Sequence, residues 1–252
     1  MDGVEVIVFK PAGHTDDLRA GIVHYHGGGW ATVLGEIWLW LLPSHFQEKD
    51  LPSLKFMSLD YPALEVFDFD LPCYRKYETG PGLLTKQAMI FYWLLYGFGH
   101  LEYYDMLYNN KHVNTELKDS IYAAYVSKDL LPTRIRNENQ DKTSEKTNDE
   151  NSNEIKVPNE IMRKSQIHCF PLMASDDDLR LPPPTYIFNV EFDVLRDDGL
   201  IAAERLERVG VKVTKRFMST EQHGYLNFVS LDKSIRPENI RFAKFFNETL
   251  NI

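Results

Sequence analysis

A run of three glycines early in the chain has the residue types that an oxyanion-binding loop requires. Gly27, Gly28 and Gly29 stand between His26 and Trp30. Because glycines leave their backbone N–H groups clear of side-chain bulk, these donors can approach an oxygen that becomes negatively charged during acyl transfer. The phosphate-loop patterns GxGxxG and GxxxxGK[ST] are both absent from the chain. The remaining alternative is a tight turn with positive φ, which needs one glycine rather than three.

An acid and a histidine further along the chain have the chemistry of a proton-transfer pair. Asp193 and His223 are separated by 30 positions, which leaves room for one helix and one strand. A carboxylate can orient an imidazole and stabilise its charged form, and the imidazole then acts as a general base toward a nucleophile. Taken alone, His223 has the alternative of being an ordinary exposed loop residue. The strand pattern favours the catalytic interpretation.

The hydrophobic pattern predicts an α/β fold, a mostly parallel sheet with flanking helices. β-rich runs alternate with amphipathic helices in the last third of the chain, which is typical of parallel strands joined by crossover helices. In such a sheet, functional residues lie just past the carboxyl ends of strands, where the glycine run, Asp193 and His223 are predicted to fall. The predicted strands are Val4–Phe9, Ala20–His26, Leu54–Tyr61, Thr185–Val190 and Val211–Met218. The predicted helices are Ala31–Asp50, Thr85–Phe98, Asp197–Gly210 and Pro237–Leu250.

Two of these helices have a clear apolar side. The side predicted to face the core carries Leu200, Ala203, Leu206 and Val209 in the first of them and Ile240, Phe242, Ala243 and Phe246 in the last.

Composition limits the classes of protein and of site. The 252 residues include 37 acids and 28 bases, and the net charge of −9 argues against a nucleic-acid-binding surface. Hydrophobic residues make up 43% of the chain, enough for a sizeable core, and we predict a single domain. Cys73 and Cys169 lack the spacing of a zinc site and can form at most one bridge. We predict neither a metal nor an organic cofactor.

Three ordered motifs resemble one branch of a known enzyme family. They are HYHGGGW at residues 24–30, NVEFDVLRDDG at residues 189–199 and EQHGYLNF at residues 221–228. They are similar to the arylacetamide deacetylase-like branch of the hormone-sensitive lipase family of α/β-hydrolases. LKFMSLDYPALEVFDFDLPCY and GPGLLTKQAMIFYWLLYGFG also resemble that branch's strand after the nucleophile and its cap segment.

The resemblance implies an esterase or amidase fold in which each motif has a role. Gly27, Gly28 and Gly29 are then the oxyanion hole, and Asp193 and His223 are members of a catalytic triad. A helical cap, at about residues 65–131, is expected to shape an apolar acyl pocket. The implied partners are small apolar esters, amides or lipid-like ligands. The resemblance also implies the endoplasmic reticulum and membrane association, although no signal or transmembrane segment is predicted within these residues.

The serine that this family requires has no counterpart in the sequence. No GxSxG elbow occurs, and Ser44, Ser53 and Ser58 lack the small flanking residues that such a strained turn needs. Only the 23 residues from Ala31 to Ser53 lie between the glycine loop and the next predicted strand, whereas two crossover units need on the order of 60 residues. The sequence therefore predicts a missing internal segment and an inactive chain. The alternatives are a non-enzymatic pseudohydrolase that binds apolar ligands or a protein partner, and a fragment that does not fold.

Loss of a central strand leads to a structural expectation. The five predicted strands should form a shrunken sheet, and high exposure of Leu54–Tyr61 would contradict it. A second expectation concerns Asn137–Glu154, which contains no apolar residue and is predicted to be a disordered surface loop.

Overall fold

The structure is a computed structural model that describes residues 54–80, 82–138 and 170–250. The first two predicted strands, the first predicted helix and the glycine run lie outside these residues. The described strands are β1 (Met57–Asp60), β2 (Thr185–Phe192) and β3 (Val213–Gln222). The described α-helices are α1 (Pro72–Lys76), α2 (Lys86–Phe98), α3 (Tyr104–Tyr108), α4 (Thr115–Lys118), α5 (Ile121–Tyr125), α6 (Thr133–Arg136), α7 (Arg196–Arg208) and α8 (Arg236–Leu250). Short 3-10 turns join several of them.

The three strands form one parallel sheet in the order β1, β2, β3, so β2 lies between its two neighbours. Thr185 of β2 is opposite Met57 of β1 and Val213 of β3. Compared with the predicted bounds, β1 is shorter at both ends, β2 is two residues longer, and β3 begins two residues later and extends to Gln222. Met57 and Leu59 are 2% and 1% exposed, so the outcome that would have contradicted the shrunken sheet does not occur.

The sheet has an apolar layer on each face, as parallel sheets usually do. On one face, Ile187 belongs to a large core built with α7 and the segment that follows β1. On the other face, Tyr186, Phe188 and Val190 form a second cluster, against which Phe242 and Phe245 of α8 pack. Alternate residues of β2 therefore point into different cores, which is why seven of its eight residues are buried.

Helix α7 connects β2 to β3 and confirms the predicted crossover. Ala203 and Leu206 are buried as expected, and Ile201 and Ala202 are fully buried as well, so the helix packs over a wider face than predicted. Gly199 makes this close packing possible. A Cβ atom at this position would lie 2.1 Å from the Asn189 side-chain oxygen on β2.

The segment expected to form a cap contains one long helix and several short ones. Helix α2 matches the prediction, and it begins after Thr85, whose hydroxyl accepts a hydrogen bond from the Ala88 N–H. Its residues Met89, Ile90, Trp93 and Leu94 are buried in the large core. No helix among the described residues is long and apolar enough to span a membrane.

Two expectations are wrong in part. Ile240 of α8 is 47% exposed and Ala243 is also exposed, because the side of the helix nearest the sheet runs instead through Glu238, which pairs with Arg216 of β3. The first two residues of the predicted disordered loop are ordered, because the Asn137 N–H bonds to carbonyls of α6 and Glu138 accepts a hydrogen bond from the buried Arg196. Residues 139–154 of that loop lie outside the described part of the chain.

Candidate active site

Asp193 immediately follows β2 and lies at the carboxyl edge of the sheet. Its side chain is 2% exposed, and one carboxylate oxygen accepts the Leu195 N–H at 2.9 Å. The Asp193 N–H bonds to the Glu191 carbonyl, and the Asp193 carbonyl accepts the Arg196 N–H. The carboxylate is thus held by the backbone of the turn that starts α7, which fixes the direction of its second oxygen.

His223 immediately follows β3, the neighbouring strand, and meets that second oxygen. The distance from His223 Nδ1 to Asp193 Oδ2 is 2.9 Å. The His223 N–H bonds to the Phe192 carbonyl at 3.4 Å, and Gly224 takes a positive φ of 76° at the start of the following turn. The imidazole side chain is 28% exposed, so it can be reached from solvent while its partner cannot. The predicted pair is therefore brought together at the predicted edge.

A buried network of ion pairs, centred on Arg196, stabilises the turn after β2 that carries Asp193. Arg196 is fully buried and bonds to Glu191, Glu138 and Asp197 at 2.8 to 2.9 Å. Burial alone would raise the pKa of Glu191, but hydrogen bonds from Lys76 and Tyr77 together with the charge of Arg196 outweigh it and lower the pKa to about 2. Glu191 therefore stays ionised and keeps its part of the network.

Among the described residues, Tyr61 contacts the pair although the sequence analysis did not single it out. It follows β1, is 7% exposed, and its ring centroid lies 5.2 Å from that of His223. The Tyr61 hydroxyl accepts the Leu226 N–H at 2.9 Å, three residues beyond His223. Tyr61 lies just past the carboxyl end of a strand, as Asp193 and His223 do, and this position could have identified it from the sequence.

The other predicted site residues and the candidate serines either lie outside the described residues or lie away from a strand-to-helix turn. Gly27, Gly28, Gly29, His26 and Trp30 lie outside the described residues, as do Ser44 and Ser53. Ser58 is described and lies within β1, where its hydroxyl donates to Asp60 rather than occupying a strand-to-helix turn.

Metal-binding and thiol chemistry are not indicated in the described ranges. They contain no group of three or more His, Cys, Asp and Glu side chains that could hold a metal ion. Cys73 is a free, buried thiol that donates to the Val194 carbonyl, and burial raises its pKa well above the usual range. The remaining described histidines have other contacts, since His112 bonds to the Val66 carbonyl and His100 accepts the Glu102 N–H.

Comparisons with known proteins agree with this architecture. A family model described as "alpha/beta hydrolase fold" matches residues 121–227. Neutral cholesterol ester hydrolase 1 of Mus musculus is 31% identical over 206 residues, which are 81% of this chain and 47% of that protein. Arylacetamide deacetylase of Bos taurus is 32% identical over 198 residues, 79% of this chain and 47% of that protein. The chain spans about half the length of the curated relatives it matches.

Solved structures show the same fold at low sequence identity. An esterase of the fungus Rhizomucor miehei matches 85% of this chain and 49% of its own, with a TM-score of 0.54 and 17% identity. Carboxyl esterase 2 of the fungus Tuber melanosporum matches 83% of this chain and 48% of its own, with a TM-score of 0.52 and 16% identity. The chain therefore has an α/β-hydrolase fold, and its sequence is similar to neutral cholesterol ester hydrolase and arylacetamide deacetylase, which supports the resemblance to the hormone-sensitive lipase family.

Proposed function

We propose that the chain carries the acid, base and oxyanion-binding parts of a carboxylic ester hydrolase site, and that without the elbow serine it binds apolar esters but does not hydrolyse them. The observation that carries this proposal is the 2.9 Å contact between Asp193 and His223 at the carboxyl edge of the sheet. Similarity to the matched relatives supports the substrate class, since they are named as an ester hydrolase and a deacetylase.

The pair has the arrangement that acyl transfer needs. Asp193 accepts from Nδ1 of His223, so the neutral imidazole keeps a lone pair on Nε2 with which to take a proton. When the ring becomes charged, the buried carboxylate stabilises it. In the proposed site, Gly27, Gly28 and Gly29 donate their N–H groups to the substrate oxygen, as the family motif implies.

The proton transfer has no matching nucleophile in the sequence. GxSxG is absent from all 252 residues, and no serine between the glycine run and Asp193 has the flanking glycines of an elbow. Oxyanion stabilisation and substrate binding alone retain about 10³-fold acceleration over water in triad hydrolases, so any residual turnover is expected to lie orders of magnitude below that of a complete triad and not to depend on His223.

The first test is labelling with a fluorophosphonate, which reacts with activated serines, followed by intact-mass measurement. The unmodified chain is expected to gain no adduct. The variants His223→Ala and His100→Ala serve as a matched pair, because His100 lies far along the chain from the site and contacts only its local turn. A single adduct that persists in His100→Ala but disappears in His223→Ala would reveal an activated serine and overturn the inactive assignment.

The second test measures binding without turnover. An apolar ester such as p-nitrophenyl butyrate is expected to raise the melting temperature of the chain with the logarithm of its concentration above Kd, with a gain of about 2.7 kcal/mol at 100 times its Kd. The same ester should release p-nitrophenol no faster with the chain than with His223→Ala. A chain that melts cooperatively and gains no stability from any apolar ester would contradict the proposed binding role.

A further inference from the structure

The backbone at Tyr61 has a conformation that its side chain makes costly. Its φ is 53°, in the left-handed region that glycine adopts freely and other residues rarely enter. A strained non-glycine residue persists only where its surroundings hold it in place, and such residues are concentrated at functional sites. The contacts of Tyr61 therefore need a physical explanation.

Those contacts join β1 to both neighbouring strand ends. The Tyr61 N–H bonds to the Phe188 carbonyl of β2 at 2.9 Å, and the ring packs edge-on against the Phe188 ring at 5.3 Å. The phenol reaches the turn after β3, where its oxygen accepts the Leu226 N–H. Between these two anchors, the Tyr61 ring lies 5.2 Å from the imidazole of His223, at an angle of 51°.

We propose that Tyr61 is a positioning residue for His223: it fixes the turn that carries the histidine and limits the rotation of the imidazole, so that Nδ1 stays on Asp193. The proposal rests on the proposed function in that it gives His223 the role of proton carrier. Asp193 holds the ring through Nδ1. Tyr61 adds a contact with the imidazole ring and a hydrogen bond to the backbone of residue 226, three residues beyond His223.

Tyrosine suits this role better than glycine, which would relieve the backbone strain, or phenylalanine, which lacks the hydroxyl. Glycine would remove the strain at φ 53° but would have neither the ring nor the hydroxyl. Phenylalanine would keep the ring and leave the Leu226 N–H without its acceptor. Burial raises the pKa of Tyr61 well above its usual range, and the nearby carboxylates Asp60 and Asp193 raise it further, so the phenol stays neutral beside the pair.

The test uses Tyr61→Phe and Tyr61→Leu, with Tyr186→Phe as the matched control. Tyr186 is a buried tyrosine of β2 whose ring packs on Phe242 and Phe245 rather than on His223. Nitrogen NMR of the imidazole reports which ring nitrogen of neutral His223 carries the proton, a readout that a general loss of stability does not move. The unmodified chain is expected to have the proton mainly on Nδ1.

Tyr61→Leu is expected to convert His223 to a mixture of both tautomers, whereas Tyr186→Phe leaves the proton on Nδ1. Tyr61→Phe should give a smaller shift in the same direction and speed hydrogen exchange of the Leu226 amide by about five-fold, since one hydrogen bond is lost. If Tyr61→Leu does not fold, Tyr61→Phe decides alone. A proton that stays on Nδ1 of His223 in every folded Tyr61 variant would overturn the proposal, whatever happens to Leu226 exchange.

The outcome separates this inference from the proposed function. Tautomer measurements need neither a nucleophile nor a ligand, so they can fail while ester binding succeeds. If Nδ1 of His223 carries no proton in the unmodified chain, the proton-transfer role itself is wrong. If Nδ1 carries it there and in every variant, only the positioning role of Tyr61 is wrong.

Discussion

Asp193 and Asp198 lie five residues apart, and both are almost completely buried. Asp193 has a titratable side chain as a partner, whereas the hydrogen-bond partners of Asp198 are backbone N–H groups. Asp193 divides its oxygens between the Leu195 N–H and the imidazole of His223. One oxygen of Asp198 accepts the N–H groups of Leu64 and Glu65, and its other oxygen has no hydrogen-bond partner. Glu65 repeats this arrangement, with one oxygen on two backbone N–H groups and the other unpartnered.

Within residues 193–198, the first acid belongs to the pair with His223, and the last acid holds α7 to the chain after β1. A base at the edge of the sheet gives Asp193 a partner that can take and return a proton. In the interior, burial raises the pKa of Asp198 and the nearby Glu65 raises it further, while burial followed by the charge of Asp68 raises the pKa of Glu65 to about 8. We expect this interior pair to retain a proton at neutral pH. It ties α7 to the chain after β1.

Arg196 and Asp197 lie between Asp193 and Asp198 along the chain and make buried contacts of their own. Arg196 is fully buried and bonds to Asp197, Glu191 and Glu138, while Asp197 also accepts the Cys73 N–H of α1. These ion pairs satisfy the charges around the turn, so neither Glu65 nor Asp198 needs Asp193 or His223 as a partner. Changes at these positions should therefore affect stability and histidine chemistry separately.

The largest expected effect is on stability and comes from Arg196→Met. Removing the guanidinium takes from the buried Asp197 its cationic partner and from Glu191 one of its cations, a loss that typically costs about 3 to 5 kcal/mol of unfolding free energy. Urea unfolding measures the change in unfolding free energy. The matched control is Arg75→Met, because Arg75 and Asp70 form an exposed pair whose loss should cost less than about 1 kcal/mol. Equal costs for the two variants would mean that the buried network does not support the turn.

The next effect is a pH dependence that belongs to the interior pair. Because the folded pKa of Glu65 lies above its unfolded value of 4.5, the folded state holds a proton that the unfolded state releases, so stability falls as pH rises toward about 8. His112 acts in the opposite sense below pH 6.5, since burial lowers its pKa to about 4. The measurement therefore runs from pH 6.5 to pH 8, where a loss of about 2 kcal/mol is expected.

Glu65→Gln should remove most of that slope, because the amide stays neutral over the whole range. Glu204→Gln is the control, since Glu204 pairs with Arg208 at the surface of α7 and its loss should leave the slope unchanged. The side chains that face the interior pair, Asp68, Tyr74 and Asp197, are acids and a phenol that all remain in both variants. A slope in Glu65→Gln as steep as in the unmodified chain would place the retained proton elsewhere.

The sequence predicted the edge pair and missed the interior pair for a physical reason. Asp193 and His223 follow two adjacent strands, so the strand pattern alone places them together. Glu65 and Asp198 are 133 residues apart, and neither follows a strand directly. Isolated acids usually lie at the surface, and only tertiary packing buries these two.

The same contrast explains the errors in the helices and strands. The alternation of β2, α7 and β3 is a local pattern, and the predicted elements are confirmed with shifted ends. Which side of α8 faces the sheet depends on the long-range pair between Glu238 and Arg216, so the exposure of Ile240 could not be predicted from periodicity. The left-handed backbone of Tyr61 is likewise set by contacts with two other strand ends.

The smallest expected effect on stability comes from Asp193→Asn, and it is the sharpest test of the edge pair. The amide oxygen can still accept the Leu195 N–H, and the amide nitrogen can donate to His223, so the unfolding free energy should change by less than about 1 kcal/mol. A donor facing Nδ1 favours a lone pair there, and the proton should move to Nε2, where it blocks the general-base role. Asp197→Asn is the control, expected to cost more stability by weakening the contact with Arg196 while His223 keeps its proton on Nδ1. If Asp193→Asn left the proton on Nδ1, Asp193 would be an anchor of the same kind as Asp198, and the distinction between a chemical edge and a structural interior would fail.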